Sequence, residues 1–227
     1  MGKDLSSKTL GIIHAAVFTS QVVQKYIDEI IPEVQVMHFG DDTVQRDNLA
    51  APVGVIPKVN FFKFATYAHF LEEAGADLIM LACSTFNQAV EVARPMINVP
   101  LLQIDRPMMD LAVQQGKHIG LLATLPSTVP SSERLLRQAA ADAGKDVQVK
   151  TVLCSEAFKV LRAGDPEKHN RMLLEAIDSL SREVDAIVMA QVSMAALEAS
   201  LTRPRVPVYN SGRTGFQKAR EILEALA

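Results

Sequence analysis

The 227-residue chain has no tryptophan, few aromatic residues of any kind and only two cysteines. Aromatic side chains make up 5% of the sequence and hydrophobic residues 48%, so the interior must consist mainly of aliphatic side chains. Parallel α/β sheets favour such interiors. Two cysteines cannot build a disulfide framework, which indicates a reducing compartment such as the cytoplasm.

Clusters of charge of one sign and long apolar runs are also missing, which argues against a nucleic-acid-binding protein and against a membrane protein. The 23 basic and 26 acidic residues are mixed along the chain, and no basic patch indicates nucleic acid binding. No apolar run has the length of a membrane span, and the N-terminus lacks the apolar core of a signal peptide. The loose myristoylation pattern of Met1, Gly2 and Ser6 is too short to outweigh this. We expect a cytoplasmic protein that binds neither membranes nor nucleic acid. The sequence is compatible with a homo-oligomer.

The chain contains a weak internal repeat. Three pairs of apolar segments share an offset of 107 to 109 residues: 77–83 with 185–191, 99–102 with 206–209, and 10–13 with 119–122. One such match arises easily by chance between apolar strands, whereas three matches at nearly the same offset indicate two duplicated halves.

Between these segments the hydrophobic period changes from that of a strand to that of a helix. Helices are predicted over 61–74, 132–143, 166–180 and 215–226, and further strands over 34–37 and 147–150. This alternation predicts an α/β fold of two similar parallel-sheet lobes related by a pseudo-twofold axis, with the active site in the cleft between them. We assign residues 1–115 to the first lobe, which the C-terminal helix 213–227 completes, and residues 116–212 to the second.

Ligands of parallel sheets bind where the strands end, so the residues directly after each apolar run are the candidates for a site. Cys83 ends one run, just before a predicted helix, where backbone N–H groups stabilise a thiolate. Ser84 and Thr85 add hydroxyl donors that suit a carboxylate. Position alone is equally compatible with a buried, unreactive cysteine.

Other reactive residue types give weaker signals. His14 follows the first strand and is expected either to reach the cleft or to be a buried, hydrogen-bonded histidine. Cys154 follows a different strand and fits a structural role, and Arg213 fits either a carboxylate partner or a solvated residue at a helix start. The histidines lack ligand spacing and no glycine-rich phosphate loop is present, so neither a metal nor a nucleotide cofactor is expected.

Two stretches resemble motifs of the aspartate/glutamate/hydantoin racemase superfamily: 82–85, Ala-Cys-Ser-Thr, and 120–129, which begins Gly-Leu-Leu-Ala-Thr. The resemblance implies cofactor-independent proton transfer at the α-carbon of a small carboxylate, between one cysteine as thiolate base and another as thiol acid. It makes Cys83 the first of these cysteines. The residues we then expect to bind the substrate are His14, Ser84, Thr85, Thr124, Ser127, Thr128 and Ser193.

The sequence departs from the superfamily at the second cysteine, because Gln191 occupies that position. An amide does not transfer protons usefully near neutral pH. With Cys83 and Gln191 as the predicted catalytic residues, three functions stay open. They are a racemase or isomerase with another proton partner, a one-cysteine decarboxylase or lyase that protonates one face, and a non-catalytic carboxylate-binding protein. Superfamily members that decarboxylate malonates also keep a single cysteine, although there it is the second.

Overall fold

The computed structural model describes residues 3–227, so the first two residues of the myristoylation pattern lie outside the described part. The strands are β1 Thr9–His14, β2 Gln35–Gly40, β3 Leu78–Leu81, β4 Leu101–Gln103, β5 His118–Ala123, β6 Gln148–Leu153, β7 Ala186–Met189 and β8 Val208–Asn210. The α-helices are α1 Thr19–Ile30, α2 Asp42–Ala50, α3 Lys58–Glu73, α4 Ala89–Ala93, α5 Arg106–Gln115, α6 Thr128–Asp142, α7 Ser155–Arg162, α8 Pro166–Leu180 and α9 Ser211–Leu226. Short 3-10 helices cover Arg94–Met96 and Val192–Ser200.

The strands form two four-stranded parallel sheets with the same topology. The order is β2-β1-β3-β4 in the first lobe and β6-β5-β7-β8 in the second. The registers also correspond, since Ile13 pairs with Leu81 in one sheet and Leu122 pairs with Met189 in the other. The predicted α/β fold of two similar parallel-sheet lobes is confirmed.

Aliphatic side chains fill the space between each sheet and its helices. Every residue of β3 and of β7 is buried, as expected of central strands covered on both faces. Gly11 in β1 and Gly120 in β5 let a helix approach the sheet closely: a Cβ atom at Gly120 would lie 2.7 Å from Leu180 of α8, and one at Gly11 would lie 3.0 Å from Leu71 of α3. The same packing solution therefore recurs in both halves.

The C-terminal helix α9 packs against the first sheet. Phe216 and Leu223 share one buried cluster with Leu10 and Ile12 of β1. Gly212 lies so close to the ring of Tyr26 in α1 that a Cβ atom there would be 2.1 Å from it. The lobe boundaries at residues 115 and 212 themselves stay a prediction.

Three of the four predicted helices begin earlier than the apolar periodicity predicts. Helix α3 begins at Lys58 rather than 61, α6 at Thr128 rather than 132, and α9 at Ser211 rather than 215. In each case the first turn is partly polar, so apolar spacing does not reveal it. Helix α8 begins at Pro166 as predicted, and Asp165 caps it, because the Asp165 carboxylate accepts the N–H of Lys168 at 2.9 Å. Within residues 3–227, no helix combines the length and the apolar character needed to cross a membrane.

Candidate active site

A cavity of about 530 Å³ lies between the two sheets, at the ends of their strands. Residues that follow β1, β3, β4, β5 and β7 line it. Six of the predicted site residues are among them: Cys83, Ser84, Thr85, Thr128, Gln191 and Ser193.

Cys83 and Gln191 occupy equivalent positions in the two lobes. Each is the second residue after the end of a central strand. The N–H of the preceding alanine donates to the neighbouring strand in the same way, Ala82 to Ile13 and Ala190 to Leu122, both at 2.9 Å. The pseudo-symmetry therefore presents the thiol and the amide to one cavity from opposite lobes.

The Cys83 side chain is a thiol rather than the thiolate that its position suggests. Helix α4 begins only at Ala89, after a turn, so no helix N-terminus points at the sulfur. Burial raises the pKa of Cys83 to about 11, although the backbone N–H groups of Phe86 and Thr85 act in the opposite direction. Desolvation outweighs two hydrogen bonds because it penalises the charged form directly. Cys83 consequently carries its proton at neutral pH.

The amide of Gln191 has a fixed orientation. Its Oε1 accepts the backbone N–H of Thr124 at 2.7 Å and the Thr124 hydroxyl at 3.0 Å. A backbone N–H can only donate, so the atom facing it must be the amide oxygen. Gln191 is thereby left with its NH₂ group as the donor for a ligand in the cavity.

Three predicted substrate-binding residues do not line the cavity. Thr124 is buried behind Gln191 and holds it in place. Ser127 stands at the N-cap of α6, and its buried hydroxyl has no hydrogen-bond partner within the described residues. His14 is also buried, at 1% exposure.

The His14 ring belongs to a short hydrogen-bonded chain. The Thr19 hydroxyl donates to the carbonyl oxygen of Ala16 at 2.8 Å, so Thr19 accepts from His14 Nδ1 at 2.7 Å. His14 Nε2 then accepts from Nδ1 of His38 at 2.9 Å. Burial, with a contribution from His38, lowers the pKa of His14 to about 4. Of the two alternatives expected from the sequence, His14 is therefore the buried, hydrogen-bonded histidine and not a residue that reaches the cleft.

Asp105 was missed at the sequence level and lies directly behind the site. It is fully buried, and its Oδ1 accepts the Ser84 hydroxyl at 3.0 Å. Burial raises the pKa of Asp105 to about 6, despite the hydrogen bond from Ser84. Its position two residues after the end of β4, comparable with that of Cys83 after β3, was the available signal.

Hydroxyl groups join the two lobes at the base of the cavity. Thr85 Oγ1 lies 3.2 Å from Thr128 Oγ1 across the cleft, and the Ser131 hydroxyl donates to the Thr85 carbonyl oxygen. Thr85 and Thr128 therefore meet at one place, as two members of a single carboxylate site should. Arg213, in contrast, pairs with Glu29 at 2.8 Å and with Glu198, away from the cavity.

The mouth of the cavity has a lining that sequence reasoning also missed. We call it the apolar rim, and it consists of Phe18, Leu49, Leu125, Phe158 and Leu161. Three charged side chains also line the cavity, Asp42 and Arg46 from the first lobe and Arg162 from the second. Within residues 3–227, no group of three or more His, Cys, Asp or Glu side chains is arranged to hold a metal ion.

Comparisons with known proteins point to one family. The model of the family described as Asp/Glu/hydantoin racemase matches residues 45–219. A glutamate racemase of Trichormus variabilis is 27% identical over 173 residues, which are 73% of this chain and 56% of that protein. The chain thus spans about half the length of the curated relatives it matches.

Solved structures show the same fold. An aspartate racemase homologue from Pyrococcus horikoshii superposes with a TM-score of 0.73 at 20% identity, over 95% of this chain and 99% of that one. Glutamate racemase from Francisella tularensis, solved in complex with D-glutamate, superposes with a TM-score of 0.70 at 16% identity, over 96% of this chain and 81% of that one. At these identities the likeness concerns the fold alone.

Proposed function

Because the chain belongs to the Asp/Glu/hydantoin racemase family, we propose that it catalyses cofactor-independent proton transfer at the α-carbon of a small carboxylate, with Cys83 as the proton-transfer residue. The observation that carries the proposal is the equivalence of Cys83 and Gln191, which face one cavity from opposite lobes. A racemase-type reaction needs a planar intermediate held between two such positions.

In the proposed reaction the substrate carboxylate binds at the base of the cavity. Thr85, Thr128 and Ser193 supply hydroxyl donors there. Transfer of the α-proton to the thiolate form of Cys83, or loss of carbon dioxide from the α-carbon, produces an enediolate whose negative charge lies on the carboxylate oxygens. The NH₂ group of Gln191 donates to this charge and stabilises it.

The protonation state of Cys83 in the ligand-free protein determines whether this residue donates or accepts a proton. A thiol with a pKa raised to about 11 is an acid, so the ligand-free protein is set to give a proton to an enediolate. Removing a proton from a substrate would first require loss of the Cys83 proton. Binding of a carboxylate next to the thiol makes deprotonation of Cys83 still less favourable, because like charges repel.

A second candidate function follows from the same two residues. Gln191 donates hydrogen bonds but moves no proton, and the second lobe contributes no cysteine or histidine to the described lining of the cavity. A decarboxylase or another lyase needs only one proton donor, because loss of carbon dioxide leaves the enediolate and Cys83 protonates one face. The enzyme would then be a lyase built on a racemase fold.

Incubation of candidate carboxylates in heavy water separates these reactions. Deuterium at the α-carbon reports proton transfer, optical rotation reports racemisation, and release of carbon dioxide reports decarboxylation. Cys83→Ser should abolish all three, because a hydroxyl is far less acidic than a thiol, while Cys154→Ser, the matched control, should keep them. Full activity of Cys83→Ser would overturn the proposal.

A further inference from the structure

The apolar rim consists of side chains that the protein core does not use. Phe18 is 55% exposed and Leu49 is 51% exposed, and Phe158 and Leu161 are partly exposed. Within the described residues, no rim member belongs to the four buried hydrophobic clusters or packs against them. Scattered apolar residues on a surface need no explanation, but these five converge on one concave site.

The two helices at the mouth are structurally equivalent but chemically different. Helices α2 and α7 both begin two residues after the second strand of their lobe. Their fourth and seventh residues face the cavity, because residues three apart share one side of a helix. In α2 these are Gln45 and Asn48, and in α7 they are Phe158 and Leu161. At these two positions α2 is polar and α7 is apolar, while α2 also contributes Arg46 and Leu49 to the lining and α7 contributes Arg162.

Asn48 of α2 is hydrogen-bonded to α3. Asn48 is 4% exposed, and its Oδ1 accepts the side-chain N–H of Asn60 at 2.9 Å. Its Nδ2 atom has no hydrogen-bond partner among residues 3–227. This nitrogen is itself shielded from the cavity, so Asn48 joins α2 to α3 and offers no contact to a ligand.

We infer, building on the function proposed above, that the substrate carries an alkyl or aryl substituent beside its reacting carboxylate. The substituent packs against Phe158 and Leu161. The cavity volume of about 530 Å³ agrees with such a ligand, since pockets of roughly 300–1,000 Å³ enclose molecules much larger than an amino acid. A short dicarboxylate would gain little from the apolar rim, and its second carboxylate would depend on Arg46 or Arg162, which also line the cavity.

Binding of three probes tests this inference without turnover. Acetate, phenylacetate and succinate are titrated by calorimetry into the wild-type protein, the Phe158→Ala/Leu161→Ala variant and the control Phe62→Ala. Phe62 is 74% exposed on α3 and does not line the cavity. Each buried methylene contributes roughly 0.8 kcal/mol, a factor of about four. Phenylacetate should therefore bind wild type at least about ten-fold more tightly than acetate does.

The double variant should lose about ten-fold in affinity for phenylacetate and less than two-fold for acetate, whereas Phe62→Ala should change neither. An equal loss of affinity for both probes would show that the rim only helps to hold the two lobes together, and would overturn the inference. Tighter binding of succinate than of phenylacetate, lost in Arg162→Gln, would overturn it as well. The double variant should fold, because Phe158 and Leu161 lie outside the four buried hydrophobic clusters; thermal unfolding checks this.

Heavy-water exchange distinguishes a failure of the inference from a failure of the proposed function. If phenylacetate binds as expected but neither it nor any other carboxylate exchanges its α-proton, the proposed function fails and the substrate class stands. If aspartate exchanges while apolar substituents bring no gain in affinity, the proposed function stands and the substrate class is wrong.

Discussion

Thr124 donates two hydrogen bonds to one oxygen of Gln191, from its backbone N–H at 2.7 Å and from its hydroxyl at 3.0 Å. The side chain expected to bind the substrate instead orients the residue that replaces the second cysteine. Gln191 therefore cannot rotate to present its oxygen to the cavity without leaving a buried donor unpaired. Its role is that of a fixed donor.

This relationship predicts different effects for two substitutions at Thr124. Thr124→Val removes the hydroxyl at nearly constant volume and should weaken substrate binding or slow exchange by about 3- to 10-fold, the cost of one hydrogen bond of roughly 0.5–1.5 kcal/mol. Thr124→Ser keeps the hydroxyl and should retain most of the activity. Separate measurement of kcat and KM, with thermal unfolding of each variant, checks this. Equal losses in both variants would assign Thr124 a packing role only.

A second prediction concerns the protonation of Cys83. Since burial raises its pKa to about 11, the thiolate fraction increases about ten-fold with each pH unit throughout the neutral range. The rate of alkylation of Cys83 by iodoacetamide, followed by mass spectrometry in the Cys154→Ser background, should rise in the same proportion between pH 7 and pH 9. A plateau near pH 8 would show a stabilised thiolate instead. Saturating carboxylate should slow the reaction at every pH.

Asp105 should make the protein less stable as the pH rises. Its folded-state pKa of about 6 lies above the usual value of 3.8, so the folded state binds the proton more tightly. The associated stability is therefore present below about pH 4 and is lost as the pH rises through 6. Between pH 5 and pH 7.5 the free energy of unfolding of wild type should fall by roughly 1–2 kcal/mol relative to Asp105→Asn. Urea denaturation of both proteins measures the difference, and parallel pH dependences would contradict it.

The repeat in the sequence was sufficient to predict the lobes and the facing pair. Cys83 and Gln191 end two apolar runs of the same length, and strand periodicity is local, so the tertiary structure only had to place both runs at the centre of a sheet. The racemase family suggested by the motif around Cys83 is likewise confirmed.

What the sequence could not reveal depends on contacts between distant segments. The raised pKa of Cys83 follows from the desolvation of its side chain in the folded protein, and the role of Thr124 follows from a contact 67 residues away. Phe158 and Leu161 have the spacing of a core-facing helix side, and only the structure shows that this side faces a cavity. Asp105 resembles an ordinary polar residue at a helix start until its burial is known.

The central claim is that one residue, Cys83, delivers protons to one face of the intermediate, and stereochemistry tests it most directly. Deuterium incorporation at the α-carbon is followed in heavy water from each enantiomer of a turned-over carboxylate, in wild type and in Gln191→Cys. We predict exchange or product of a single configuration in wild type. Gln191→Cys should gain racemisation, because it restores a proton donor opposite Cys83. Wild-type racemisation at equal rates from both enantiomers would contradict the claim, since one thiol cannot reach both faces of a planar enediolate.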